Sequence, residues 1–388
     1  MPVDMVLRGA LIDGRVCAVR VSGGVVVEIA ADLRASGDER TLDLGGLAVL
    51  PGLINAHDHL SLDLLPRVGT PPYPSAYAWH ADLERNYPVA AIQHRPVAET
   101  DRVRWGAYRN LFSGVTTVAQ HGPLPFRFLI PGSLPVRVRL PMAWAESLRM
   151  GPDVASRARY ARGRMPFAIH LAEGVDETAR GELEQLDWLG ALGPGTMVVH
   201  GVGIDAQGWR LLAARRASLV WCPRSNHFLF GATAAVEEVP PEVPIALATD
   251  STMTGSVTLF DEVRFAASLG KVAPERLLAM VTGEAARAVM APELGRIAVG
   301  APADLIALPP AGSAADTLLA ALPSTLALVM VGGAVRLAAR RFAWAGDLEP
   351  VTLGGERTHV QRGLLALTDR LARALPAGFP SPALAQLS

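Results

Sequence analysis

Five apolar runs in this 388-residue chain each lead into a histidine or an aspartate. The run 47–53 leads to His57 and His59, 114–120 to His121, 167–169 to His170, 196–199 to His200, and 245–249 to Asp250. Short runs rich in branched apolar residues read as strands buried on both faces. Helical stretches lie between them, for example 177–189 and 205–214, as in parallel α/β architecture. A closed barrel gathers the carboxyl ends of its strands on one rim, where such folds keep their chemistry. The expected fold class is therefore α/β, a (β/α)8 TIM-like barrel over 51–291, about 240 residues long.

The ends of the chain have a different texture. Residues 4 to about 50 read as short strands separated by the turns Asp13-Gly14 and Gly23-Gly24, and strand-turn texture returns at 295–308 and 326–336. One composite β-sandwich domain, built from 1–50 and 292–345, is expected to flank the barrel. Residues 346–388 are expected to be a C-terminal helical extension, with an amphipathic helix over 355–374 and a loose Pro/Ala-rich tail. Seven barrel strands are readily placed, the run 136–146 and the run 217–222 among them. The eighth is expected at 126–130, because only about 20 residues separate 136–146 from His170.

Composition narrows the function classes. Half the residues are hydrophobic and the formal net charge is −1, so nothing points to nucleic acid or to an anionic membrane surface. The two cysteines, Cys17 and Cys222, cannot build a disulfide framework. The first 20 residues lack a basic-then-apolar signal pattern, and no apolar run approaches the ~18 residues of a membrane span. A soluble cytoplasmic enzyme with a small-molecule substrate is expected, and a homodimer is the one protein association left open.

His57 and His59, spaced i, i+2 at a strand end, share one face. With His121, His170, His200 and Asp250 they form a set that accepts one divalent metal ion per chain, zinc first, with iron or manganese as alternatives, and leaves a position open for water. Glu173, at i+3 from His170, falls on the departing loop and leans over the site. The loop 66–80 is long and rich in proline and aromatics, which marks a lid or pocket wall. In it, Tyr73 and Trp79 could stack on a flat substrate and Arg67 could pair a carboxylate. His121, Trp144, Glu146, Arg224 and Asn226 complete the substrate-binding candidates, while His80, His94, His227 and His359 are read as non-ligands.

The segments 51–59, 170–173 (His-Leu-Ala-Glu), 199–201, 222–226 (Cys-Pro-Arg-Ser-Asn), 248–251 and 295–305 resemble, in this order, the amidohydrolase superfamily. The likeness is to its cytosine/guanine deaminase and chlorohydrolase-like branch. The resemblance implies metal ligands His57, His59, His170 and Asp250, with Glu173 as proton shuttle and His200 near the attacked carbon. Asp250 would also take the proton of the attacking water. The implied activity is a mononuclear metal-dependent hydrolase cleaving a C–N bond by attack of metal-bound hydroxide, in deamination of a heterocycle or amidine or in amide hydrolysis. Two-metal relatives bridge their ions with a carboxylated lysine on the fourth strand. The sole lysine here, Lys271, follows the last barrel strand, which leaves Glu146 as the only alternative bridge. A Gly-Pro-His segment usual on the fourth strand of the deaminases is absent. Ring-opening or amidine-forming chemistry on a larger peptide-like or natural-product substrate stays open, as does a catalytically silent scaffold.

Overall fold

The computed structural model describes residues 4–87, 96–151 and 153–379. His94 and the tail beyond 379 lie outside these residues. Eight parallel strands carry the middle of the chain: β1 (Leu53–Asp58), β2 (Val115–Gln120), β3 (Arg137–Val138), β4 (Ala143–Ala145), β5 (Phe167–Leu171), β6 (Thr196–His200), β7 (Ser218–Trp221) and β8 (Ile245–Leu247). The first three form one sheet and the other five a second, every pair parallel. The ring closes where the segment after β8 returns to β1. There Asp250 N donates to His57 O at 3.3 Å and Thr249 N donates to Asn55 Oδ1 at 3.1 Å.

Two-residue alternation sorts the strand side chains. Phe167, Ile169, Val198, Leu219, Ile245 and Leu247 pack in the large core under the helices. Ala168, Met197, Val199, Val220, Ala246 and Ala248 fill the barrel interior, where the small helix Gly283–Ala288 also packs. Continuing that alternation from Ala168 turns His170 inward, and from Ala248 it turns Asp250 inward. His200 follows the interior residue Val199, so alternation alone would turn it out. Its left-handed backbone, φ 74°, re-aims it, and its ring lies 5.3 Å from that of His170. A register shift between Asn55 and Asp58 does the same for β1.

Three expectations need correction. Residues Phe126–Leu129 are a 3-10 turn, not the missing strand. The run 136–146 instead supplies both β3 and β4, with no helix between them. Pro141 has no N–H to give to a ladder and interrupts the run there. Secondly, the strands of both chain ends join one continuous ten-stranded sheet around its own core rather than two separate hydrogen-bonded layers. Thirdly, residues after 345 are not all helical. Leu348–Leu353 and Glu356–Gln361 form a hairpin that pairs with Ala334–Ala339 and prolongs that sheet. Val351 and Leu353 bury one face while Pro350 and Thr352 stay exposed, a period of two that a helix cannot satisfy. Among the described residues after 345 only Leu364–Ala374 is helical, and it lies against Glu99–Leu111 of its own chain, with Arg370 paired to both Asp101 oxygens at 2.7 and 2.9 Å. Among the described residues no helix is long and apolar enough to cross a membrane.

Candidate active site

After β1 the chain crosses the barrel mouth before entering the helix Ala76–Asn86. Hydrogen bonds fasten this crossing segment around the rim. Leu60 N donates to Gln120 Oε1 at 2.9 Å, Val68 N to Met253 O at 3.1 Å, Tyr73 N to Leu229 O at 2.7 Å, and Ala76 N to Glu173 O at 2.9 Å. Beneath it lies a small cavity whose walls include Tyr77, His80, Glu146, His170, Glu173 and Glu182.

Under the cavity the strand-end residues converge. His57 Nε2 lies 3.1 Å from His170 Nε2 and 3.7 Å from Asp250 Oδ1, and His59 Nε2 lies 3.6 Å from the same oxygen. Among the described residues two overlapping triads could hold a metal ion, His57/His59/Asp250 and His57/His121/His170. The donor atoms within each lie no more than 4.8 Å apart. Buried imidazoles with unpaired nitrogens are costly unless something satisfies them. His57 Nδ1 and both nitrogens of His121 have no hydrogen-bond partner. Burial holds His57 down to about 3 and His121 well below its ordinary value, so both rings are in the neutral form that binds a cation. The donor set therefore fits a divalent ion. Lys271 pairs with Glu237, and neither belongs to the cluster.

The carboxylates divide their work by their partners. Asp250 is buried, which favours its neutral form. The imidazoles of His57, His59 and His200 around it nevertheless hold it well below the usual carboxylate range. Its Oδ2 accepts from Ser225 Oγ at 2.8 Å and Thr254 Oγ1 at 2.9 Å, and its Oδ1 from Ser251 N at 2.6 Å. Glu146 Oε1 faces His170 Nδ1 at 3.5 Å, which leaves Nε2 of that ring turned to the cluster. A carboxylate behind a ligand histidine fixes its tautomer and orientation. Burial would lower His170, yet the hydrogen bond and charge of Glu146, with Glu173 and Asp250, raise it to about 9. Glu173 faces the other side of the cavity, its Oε1 3.5 Å from His200 Nε2. Burial pushes the Glu173 carboxyl up to about 8 and the His200 imidazole down to about 4.

Not every sequence candidate reaches this cluster. His121 stacks on His170 at 4.3 Å between ring centroids and 13° between planes, and Trp144 lies 5.4 Å from His121. Asn226 Oδ1 sits 2.8 Å from His200 Nδ1. Trp79, by contrast, is buried in a core with Leu65, Leu229 and Met253, its Nε1 bonded to Val68 O, so its ring holds the crossing segment rather than a substrate. The Tyr73 hydroxyl is engaged by Asp82 and by Thr70 N. Arg67 donates to Gly255 O and stacks on Phe228, and Arg224 stacks on Phe265 at 4.0 Å. Among the expected non-ligands, His80 lines the cavity, whereas exposed His227 lies against Phe265 and His359 sits in the outer sheet. Glu182, Ser225 and Thr254 are not among the sequence candidates. A helical spacing that puts Tyr77 and His80 on one face was the available signal for that wall.

Residues 162–336 match the amidohydrolase family. The chain is 29% identical over 365 residues to a 5-methylthioadenosine/S-adenosylhomocysteine deaminase of Syntrophobacter fumaroxidans, a match covering 76% of this chain and 78% of that one. The crystal structure of an adenosine deaminase from Xanthomonas campestris with bound zinc superposes with a TM-score of 0.73 at 20% identity, covering 96% of this chain and 98% of that one. Atrazine chlorohydrolase from Arthrobacter aurescens, complexed with zinc, gives 0.73 at 16% identity over 96% and 100%. At these identities the structural likeness speaks for the fold.

Proposed function

We propose that this chain, which matches the amidohydrolase family over residues 162–336, is a hydrolytic deaminase of a 6-aminopurine ring carried on a nucleoside-like substrate. The observation that carries this reading is the Glu173–His200 pair, 3.5 Å apart, directly beside the His/Asp cluster. One divalent ion, zinc by analogy with the solved relatives, is assigned to His57, His59, His170 and Asp250, with His121 alongside. A divalent ion bound there brings the pKa of its water to near 7 and so makes hydroxide available.

The chain's own residues do the rest. Asp250 is ionised, and Oδ1, the oxygen nearest His57 and His59, is placed to take a proton from the attacking water. Glu173, raised to about 8, is protonated at neutral pH and donates to the nitrogen of the ring or of the leaving amine, a role contributing roughly 10² to 10⁴-fold. Asn226 Nδ2 donates to Thr233 Oγ1 at 3.2 Å, so its Oδ1 accepts from His200 Nδ1–H. His200 thus presents a bare Nε2 to the cavity. There it accepts a hydrogen bond from the attacking water and orients it toward the ring carbon.

Ammonia release from zinc-loaded protein tests the reading. The panel comprises 5′-methylthioadenosine, S-adenosylhomocysteine, adenosine and guanine, with a simple N-acyl amine beside them. Ammonia from an adenosine-type compound is the expected result. Carboxylate and amine from the N-acyl compound, with no ammonia from any purine, would replace deamination by amide hydrolysis.

A further inference from the structure

The segment that crosses the barrel mouth is tied to the turn carrying Glu173 at two independent places. The first is backbone: Ser75 and Gly174 pair as an isolated antiparallel bridge, and Val175 N donates to Pro74 O at 2.8 Å. Gly174 permits this approach, since a Cβ there would lie 2.6 Å from Pro74 O and 2.7 Å from Ser75 Cα.

The second tie runs through one buried carboxylate. Glu182 stands on the helix Glu177–Trp188 and is 3% exposed. Its Oε2 accepts from Ala172 N at 2.7 Å, and its Oε1 accepts from the Tyr77 hydroxyl on the helix Ala76–Asn86. Ala172, the residue immediately before Glu173, has a left-handed backbone at φ 51°, a conformation that alanine holds only when its surroundings fix it. That turn swings the chain out of β5 and aims Glu173 at His200. His80, one helical turn beyond Tyr77, lines the same cavity, so seating the helix also completes the wall.

We propose that Tyr77 and Glu182 form a latch: seating of the crossing segment over the site fixes the left-handed turn at Ala172, and with it the aim of the Glu173 carboxyl. Both are positioning residues, and the proposal rests on the reading of Glu173 as the proton shuttle. Glu182 serves the helix and the turn with separate oxygens, so release of Tyr77 frees the carboxylate that holds Ala172. Segment closure and placement of the proton donor become one event.

Amide hydrogen exchange on the full chain, without substrate, tests the tie directly in the wild type, Tyr77→Phe and Glu182→Gln. Either substitution is expected to speed exchange in 74–80 and in 172–176 together by roughly 3- to 10-fold, with the barrel strands unchanged. Faster exchange confined to 74–80, with 172–176 at the wild-type rate, would overturn the latch. This arm needs no turnover, so it decides the latch whether or not the deaminase reading holds. A double-mutant cycle with 5′-methylthioadenosine then tests the coupling. Tyr77→Phe is expected to lower kcat about 10-fold in the wild type and to have no further effect in Glu173→Gln. An equal loss in both backgrounds would show that Tyr77 does not act through Glu173.

Discussion

Asn226 Oδ1 lies 2.8 Å from His200 Nδ1, and this contact decides which nitrogen of the imidazole faces the cavity. Both residues are buried, so water cannot substitute for either partner. Asn226→Leu is therefore expected to lower kcat by about 10-fold or more with bound metal unchanged, because the ring loses its tautomer and its orientation. Steady-state kinetics beside metal analysis checks this. A parallel loss of metal would move Asn226 from orienting His200 to holding the cluster.

Glu173 sets the alkaline side of the activity profile. Burial raises its carboxyl to about 8, above the ordinary carboxyl value, so the proton it donates is present below pH 8 and lost as pH rises through that value. The kcat/KM profile should fall with a pKa near 8. Glu173→Gln should cost roughly 10² to 10⁴-fold in kcat. A profile flat from pH 7 to 9 would contradict the assignment.

Behind the cluster, Arg109 is buried between two aspartates. It donates to Asp58, which stands between His57 and His59, and its Nε lies 3.0 Å from Asp63 Oδ2. It also donates to Thr249 Oγ1 and to the carbonyls of Ser256 and Val257, joining the β1 and β8 ends of the site. Removing one partner of a buried pair leaves an uncompensated charge, at about 3–5 kcal/mol. Arg109→Met should destabilise the protein by that order in a denaturant titration, and a loss below about 1 kcal/mol would show the network to be dispensable.

Glu262 couples stability to pH. It is fully buried, and burial raises its carboxyl to about 7 despite hydrogen bonds that include Arg224 N at 2.8 Å. Because the folded value exceeds the unfolded one, its contribution is full below about pH 4.5 and is lost as pH rises through 7. Glu262→Gln should remove that loss, so its Tm advantage over the wild type grows between pH 5 and 8. A difference independent of pH would contradict this account.

The ligand-type residues were legible because each closes an apolar run; two-residue alternation carries the aim of His170 and Asp250, whereas His200 depends on its left-handed backbone and β1 on its register shift, neither of which the sequence records. The eight-stranded count was only partly legible. β3 and β4 have two and three residues, too few to show a period, and Pro141 splits one apparent run into both. At the C-terminal end, Leu364, Leu367 and Leu371 keep a helical spacing that Val360 extends backward, so the strand Glu356–Gln361 was absorbed into the helix. The pocket wall was least legible. Whether Trp79 or His80, adjacent in sequence, faces the cavity depends on how their helix seats against the Glu173 turn, a tertiary relationship that composition does not record.

The most direct measurement is the metal content of the purified protein by elemental analysis, beside the His170→Ala variant. One divalent ion per chain, lost in the variant, is the predicted result. Two ions per chain would contradict the mononuclear assignment and make Glu146 the bridging ligand, and none after reconstitution with zinc would contradict the metal-dependent account itself.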